Sequence, residues 1–309
     1  HMKVLLANPR GFCAGVERAI EIVERALEKH GPPIYVRHEV VHNKYVVSEL
    51  KNKGVVFVDE ISRIPKGSVV IFSAHGVSQK VRNQAKSMTP IIYDATCPLV
   101  TKVHKEVVRR QKQKYQVILI GHKNHPEVEG TLGQSTDTNS IYLVESIKDL
   151  ESLDYQPETR LSYTSQTTLS VDETMLLVEA LETKFPWIHA PKKNDICYAT
   201  QNRQDSVKAI IEDAEALLVI GSKNSSNSNR LKEIAEKKQK PAYLIDGPDD
   251  INSEWLAGIS SVGVTAGASA PEVLVQGVVN YLIDNGAKEV FEYNGSNESM
   301  HFPVPSALK

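Results

Sequence analysis

CPLVTKVHKEVVRRQKQKYQVILIG, residues 97–121, is the stretch that decides the fold. A cysteine precedes a run with apolar residues at helical spacing, over 100–113, and the five-residue apolar strand QVILI follows at 116–120 before a glycine. The same order recurs after Cys13, with a helical run at 16–29 and a strand at 33–37. It recurs again after Cys197, with a helical run at about 203–214 and the strand ALLVI at 216–220. Placing the strand ends at Arg37, Gly121 and Gly221 gives a constant offset of 24 residues from cysteine to strand end (37−13, 121−97, 221−197). The chain has only these three cysteines, so it reads as an internal repeat with one thiol per copy, each copy opening on its cysteine.

Working outward, each copy repeats the motif. Strands at 55–58, 141–144 and 242–245 each end on an acid, Asp59, Glu145 and Asp246. A further strand in each copy leads into a polar loop: SAHGVS at 73–78, SYTSQTTLS at 162–170 and VTAGASAP at 264–271. Helical runs alternating with short β-branched runs predict an α/β fold with parallel sheets. The expected architecture is three small α/β domains related by a pseudo-threefold axis, at 14–97, 98–196 and 197–287. An N-terminal strand at 2–13 and a weakly patterned tail at 288–309 complete it. In open parallel sheets ligands bind beyond the carboxyl ends of the strands, so the site is expected on the common axis.

Composition narrows the function classes. Among 309 residues, 36 basic side chains balance 38 acidic ones for a net charge of −2 with no basic block, which argues against nucleic acid or an anionic membrane as main partner. No apolar run approaches the length of a membrane span, and 4–7 is too short for a signal core. His1 before Met2 reads as an expression remnant. A sparse, odd cysteine count without a C-x-x-C pair fits a reducing cytoplasm, where thiols serve as ligands or nucleophiles.

All three cysteines stand immediately before a helix, where backbone amides and the helix dipole favour the thiolate and hence metal ligation. Buried cysteine that only packs is the plainer reading of any single one; three in register argue against it. Zinc is commonly held by paired short spacings that are absent here. A 4Fe-4S cube on three thiolates keeps one iron without a protein ligand, able to bind a substrate oxygen and deliver electrons.

The loops bring His42, His125, Ser225, Ser226 and Asn227, and in the second tier His75, Thr167, Thr168 and Ser269. Small polar residues beside glycine at strand-to-helix turns present amides and hydroxyls to an anion, pointing to a phosphate or diphosphate, although single Ser-Asn loops also serve as helix caps. His42, His75 and His125 could instead form a metal triad, but the cysteines already account for a metal. Beside a polyanion these histidines would favour the charged, donating form. Glu127 lies two residues from His125, and burial near like charge would raise its pKa and make it a protonated general acid.

The strings NPRGFCAGV (8–16), RHEVVHN (37–43), SAHGVS, DATCPLVTKVH (94–104), GHKNHPEVEG (121–130), SQTTLS (165–170), CYATQNRQ (197–204), GSKNSSNSNRL (221–231) and VTAGASAP closely resemble the 4-hydroxy-3-methylbut-2-enyl diphosphate reductase family of the non-mevalonate isoprenoid pathway. The resemblance runs from Lys3 to about Ile283. It implies a 4Fe-4S cluster on Cys13, Cys97 and Cys197, held between three α/β domains, and a diphosphate bound by His42, His75, His125, Ser225, Ser226, Asn227 and Ser269. Glu127 and Thr167 would form the proton relay, with His125 beside them as a catalytic candidate. The implied reaction removes the allylic hydroxyl as water with two electrons and two protons, giving isopentenyl and dimethylallyl diphosphates, with a ferredoxin or flavodoxin as electron donor. Rival readings are a cluster-dependent dehydratase or synthase, which needs no set of phosphate loops, a non-catalytic iron-sulfur sensor, and a zinc hydrolase.

Overall fold

Parallel pairing is universal across residues 2–309, which the computed structural model describes: every pair of neighbouring strands runs in one direction. The chain begins with β1 (Met2–Leu6), α1 (Ala14–His30), β2 (Ile34–Arg37), α2 (Lys44–Asn52), β3 (Val55–Val58), β4 (Val70–Phe72), α3 (Gln79–Met88) and β5 (Ile92–Asp94). It continues with α4 (Pro98–Lys112), β6 (Gln116–Ile120), α5 (Pro126–Leu132), β7 (Ile141–Val144), α6 (Ile147–Leu150), β8 (Leu161–Ser165) and α7 (Val171–Lys184). The last stretch holds α8 (Tyr198–Ile211), β9 (Ala216–Ile220), α9 (Ser226–Lys237), β10 (Ala242–Ile245), β11 (Ser261–Ala266), α10 (Glu272–Asp284) and β12 (Ala287–Glu292). Three parallel sheets result, with strand orders β3-β2-β4-β5, β7-β6-β8 and β10-β9-β11-β1-β12. The expected α/β class with parallel sheets is what the chain adopts. Among the described residues no helix is long and apolar enough to cross a membrane.

The chain divides into two compact units. The first comprises the chain up to Glu17, Val41–Leu50 and Tyr198–His301, and contains the five-stranded sheet. Its interior strand β9 is buried along its whole length because both faces are covered: Leu218 and Ile220 pack with Val4, Leu6 and Val278, while Leu217 and Val219 pack with Leu5, Ile210 and Leu231. A strand covered on both faces needs apolar residues at every position, which is why ALLVI shows no alternation.

The second unit comprises Arg18–Val40, Lys51–Cys197 and Phe302–Lys309, and contains the four- and three-stranded sheets. Val117 and Leu119 of β6 meet Val107 of α4 on one face, and Ile118 and Ile120 meet Leu161, Leu177 and Leu181 on the other. The chain's last residues are tied into this unit. Val304 and Leu308 are buried, and the carbonyls of Pro303, Ala307 and Leu308 accept hydrogen bonds from Arg18, Lys29 and Arg25 of α1.

The sheets share one plan, and it corrects the expected phase of the repeat. In each, the first strand of a copy lies between the second, at the sheet edge, and the third. A fourth place follows, held by β5 in one sheet and by β1 in another. In the three-stranded sheet it shrinks to a single bridge between Ser162 and His189. The residue chain running on from each fourth place reaches a cysteine: Cys97 after β5, Cys197 after His189, Cys13 after β1. A cysteine therefore closes a copy rather than opening one, and β1 completes the last copy from the other end of the chain.

Other expectations also need adjusting. The strands β6 and β9 end at Ile120 and Ile220, one residue before the glycines. The equivalent next residues are His38, Gly121 and Gly221, whose N–H groups donate to Val58, Val144 and Ile245, the last residues of the adjoining strands. By that alignment the offsets are 25, 24 and 24 (38−13, 121−97, 221−197), so the constant 24 does not hold in the first copy. Two strands escaped sequence reading. β5 has three residues, too few to show a period, and β12 lies almost wholly in the stretch expected to be a weakly patterned tail. As an edge strand β12 is mostly exposed and charged, so it lacks the apolar signature of its neighbours.

Candidate active site

Each cysteine is held by its backbone to the loop after a third strand. The N–H of Cys97 donates to Ala74 O at 3.0 Å, that of Cys197 to Thr167 O at 3.1 Å, and that of Cys13 to Ala268 O at 3.2 Å. Each accepting residue lies in one of the three second-tier loops, and each pair lies within one unit. All three thiols are half-buried, none is in a disulfide, and each immediately precedes a helix, Cys97 as the N-cap of α4 with Pro98 in its first turn. Half-buried thiols at helix N-termini suit a thiolate-bound metal group.

In the second unit Thr167 is the junction. Its N–H donates to Glu127 Oε1 at 2.7 Å and its hydroxyl to Glu127 Oε2 at 3.0 Å, while its carbonyl accepts from Cys197. One residue thus ties the candidate acid to a candidate ligand. Glu127 is 3 % exposed, in the first turn of α5. Burial pushes its pKa up to about 7; the hydrogen bonds from Thr167 work against that shift, and the Asp195 charge adds to it. The expected rise is present, with desolvation as its leading cause.

His125 is the N-cap of α5, and its Nδ1 accepts from the N–H of Glu127 at 3.2 Å. That bond fixes the tautomer, leaving Nε2 to carry the proton and act as donor. His75 meets His125 edge-on, with ring centroids 5.6 Å apart. The His75 loop turns at Gly76, whose φ is +83°; a Cβ there would come within 2.7 Å of the His104 ring. His104 is buried and its pKa is pushed down to about 4, chiefly by desolvation, so a neutral imidazole packs under this turn.

In the first unit the loop after β9 and the start of α9 form a polar cradle. Ser225 is the N-cap of α9 and accepts from the N–H of Ser228 at 3.2 Å; Ser226 and Asn227 form the first turn. Capping is therefore one real role of Ser225. Asn227 turns its Oδ1 to the N–H of Ala268 at 2.9 Å, which leaves the buried Nδ2 without a hydrogen-bond partner among the described residues. A buried donor with no acceptor is costly unless a ligand supplies one. His42 Nδ1 lies 3.1 Å from Asn224 Nδ2, and the His42 carbonyl accepts from the Ser269 hydroxyl at 2.9 Å. His42, Asn227 and Ser269 are thus linked through this loop pair, and an anion at the α9 N-terminus would meet amides and side-chain donors.

Two supporting residues were missed by sequence reading. Asp195, buried in the loop before Cys197, accepts from Thr164 Oγ1 at 2.6 Å and from Ser165 N–H at 3.1 Å, fixing the strand end that leads to Thr167. Arg203, fully buried on α8, donates to Gly11 O at 2.8 Å and Phe12 O at 3.2 Å, and its guanidinium is closed by Glu298 at 2.9 and 3.0 Å. It clamps the segment that delivers Cys13. Gly11 in that segment has φ of +68°, and a Cβ would meet Ala270 O at 2.9 Å, so only glycine fits. An arginine or aspartate in a polar stretch looks solvated from sequence alone, and only burial distinguishes these two.

Comparison with known proteins places the chain in a family. The family model described as LytB protein matches residues 4–283. A curated relative from Vesicomyosocius okutanii, 4-hydroxy-3-methylbut-2-enyl diphosphate reductase, is 65 % identical with all of both chains covered. The Pseudomonas aeruginosa protein of the same name is 56 % identical over 100 % of this chain and 99 % of its own. Among solved structures, the E-1-hydroxy-2-methyl-but-2-enyl-4-diphosphate reductase from Plasmodium falciparum superposes with a TM-score of 0.96 at 38 % identity, covering 99 % of this chain and 96 % of that one. A second structure, described as the terminal enzyme of the non-mevalonate pathway, gives a TM-score of 0.64 at 32 % identity over 92 % of this chain and 100 % of that one. With a family model spanning nearly the whole chain and relatives matched end to end, the chain belongs to the LytB family, the family of the 4-hydroxy-3-methylbut-2-enyl diphosphate reductases.

Proposed function

We propose that the chain converts (E)-4-hydroxy-3-methylbut-2-enyl diphosphate to isopentenyl and dimethylallyl diphosphates, consuming two electrons and two protons and releasing water. The observation that supports this most is the triple engagement of Thr167, which links a buried acid of pKa about 7 to the backbone of Cys197. Cys13, Cys97 and Cys197 would hold a 4Fe-4S cluster, and the donor set fits: three half-buried thiols at helix N-termini, outside any disulfide. When bound, that cluster supplies low-potential electrons and a Lewis-acidic iron. Three copies, each closed by its cysteine, belong to the same reading, with a reducing cytoplasm as its setting.

The chain's own residues do the rest. Asn227 Nδ2, the N-terminus of α9, Ser225, Ser226, Ser269 and the imidazoles of His42, His75 and His125 would bind the diphosphate and orient the allylic end. Glu127 holds a proton at neutral pH because burial disfavours its anion. With the carboxyl ionised, Thr167 donates to it; with the carboxyl protonated, the same bond reverses and the Thr167 hydrogen turns onward to the departing hydroxyl. Removing a hydroxyl as water rather than hydroxide is the step that needs this proton. The test is protein purified without air and assayed with reduced viologen. The expected result is a brown protein with about four irons and matching sulfide and dye-driven formation of both products. Stoichiometric zinc without sulfide would overturn it.

A further inference from the structure

Helix α4 begins next to Cys97 and presents Lys102, Lys105, Arg109 and Lys112 at intervals of three, four and three residues, which set them on one face. Lys102, Lys105 and Arg109 line a groove of about 610 Å³ together with Arg18 and Lys192. Thr96 and Pro98 also line it, so the groove reaches the residues on both sides of Cys97. Three carboxylates share the lining, Asp94, Glu106 and Asp195, and each already has a cation. Asp94 pairs with Arg82 at 2.8 Å, Glu106 with Arg109 and Arg110 at 2.8 and 2.9 Å, and Asp195 with Lys102 at 3.3 Å. Lys105 and Lys192 are exposed, and among the described residues no carboxylate pairs with either. A positive groove thus stands out on a chain whose net charge is −2. Five cations against three carboxylates leave the groove with an excess of positive charge, which steers partners of the opposite sign.

We infer that this groove docks the reductant, a small acidic one-electron carrier protein whose carboxylates meet Lys105 and Lys192 and whose redox centre is thereby set against the segment holding Cys97. The inference rests on the reductase reading, which needs two electrons that nothing in this chain supplies. Two reduced carriers are each oxidised by one electron. Those electrons and two protons break the substrate's C–O bond, form a C–H bond and release water. A solvated helix face would explain the lysines alone, but not their convergence with Lys192 and Arg18 on a groove beside a cysteine.

The test compares wild-type holoprotein with the double variant Lys105→Glu/Lys192→Glu and with Lys66→Glu, an exposed site at the amino end of β4. Turnover is measured with reduced methyl viologen and with a reduced acidic plant-type ferredoxin, and binding by calorimetric titration of oxidised ferredoxin into oxidised holoprotein. The double variant is expected to keep dye-driven turnover while its KM and Kd for ferredoxin rise roughly tenfold or more, a gap that narrows as salt is raised. Lys66→Glu should match wild type in every arm. Unchanged ferredoxin KM and Kd in the double variant, or no ferredoxin binding by wild type, would overturn the docking assignment while dye-driven turnover leaves the reductase reading standing. Absence of dye-driven turnover in wild type would overturn that reading itself.

Discussion

Glu127 is costly to ionise where it sits, and that cost sets its chemistry. Its folded pKa of about 7 lies above the ordinary 4.5, so the folded state binds the extra proton between those values. Stability from this group is full below pH 4.5, declines as pH rises to about 7, and stays low above. Glu127→Gln mimics the protonated carboxyl and is expected to unfold like wild type at pH 5 but to be more stable at pH 8, by up to about 3 kcal/mol; thermal unfolding at the two pH values checks this. As a general acid Glu127 must be protonated, so turnover should fall as pH rises through about 7. Glu127→Gln should lower dye-driven turnover about 10²- to 10⁴-fold while substrate binding is retained. Equal losses of binding and rate would make it a binding residue instead. At the diphosphate, Asn227→Ala removes a buried donor that has no partner among the described residues, and it should weaken substrate and both products alike by about 1.5 to 3 kcal/mol. Inorganic diphosphate should compete in the wild type and compete less well in the variant.

At the scale of elements, what positions the site is the set of loops after the third strands, and their supports are buried polar groups. Removing the Arg203 guanidinium leaves Glu298 facing no cation and frees the carbonyls of Gly11 and Phe12. Arg203→Met is expected to cost about 3 to 5 kcal/mol in urea unfolding, and Arg203→Met/Glu298→Gln to recover part of it; a loss under about 1 kcal/mol would show the clamp to be unimportant. This support was invisible in the sequence because a helical arginine flanked by Gln and Asn carries no sign of burial. By contrast β6 and β9 were legible to the residue, since strands covered on both faces write themselves as unbroken apolar runs, and β7 was legible from its short apolar run although it is an edge strand with Tyr142 exposed. β12 was not, because an edge strand keeps its charged residues outward. The cysteine-to-helix junctions were legible from Pro98 and the polar-to-apolar change, whereas the hydrogen bond from each cysteine N–H to a third-strand loop was not, because such pairing is a non-local fact.

Across the whole molecule the repeated unit is three strands, a fourth place, and then a cysteine tied by its N–H to the third-strand loop. A ligand set drawn once from each copy has no spare member. Cys13→Ser, Cys97→Ser and Cys197→Ser are each expected to lose the iron and sulfide of the anaerobically purified protein, with the fold retained by circular dichroism; full iron in any one of them would remove that cysteine from the set. The central claim is a reductive dehydroxylation, and counting electrons tests it most directly. Pre-reduced protein and a measured excess of reduced viologen are mixed with (E)-4-hydroxy-3-methylbut-2-enyl diphosphate without air, dye oxidation is followed by absorbance, and products are identified by mass. The account predicts two viologen electrons consumed per molecule of isopentenyl or dimethylallyl diphosphate formed; substrate consumed without dye oxidation, or with release of free diphosphate, would contradict it.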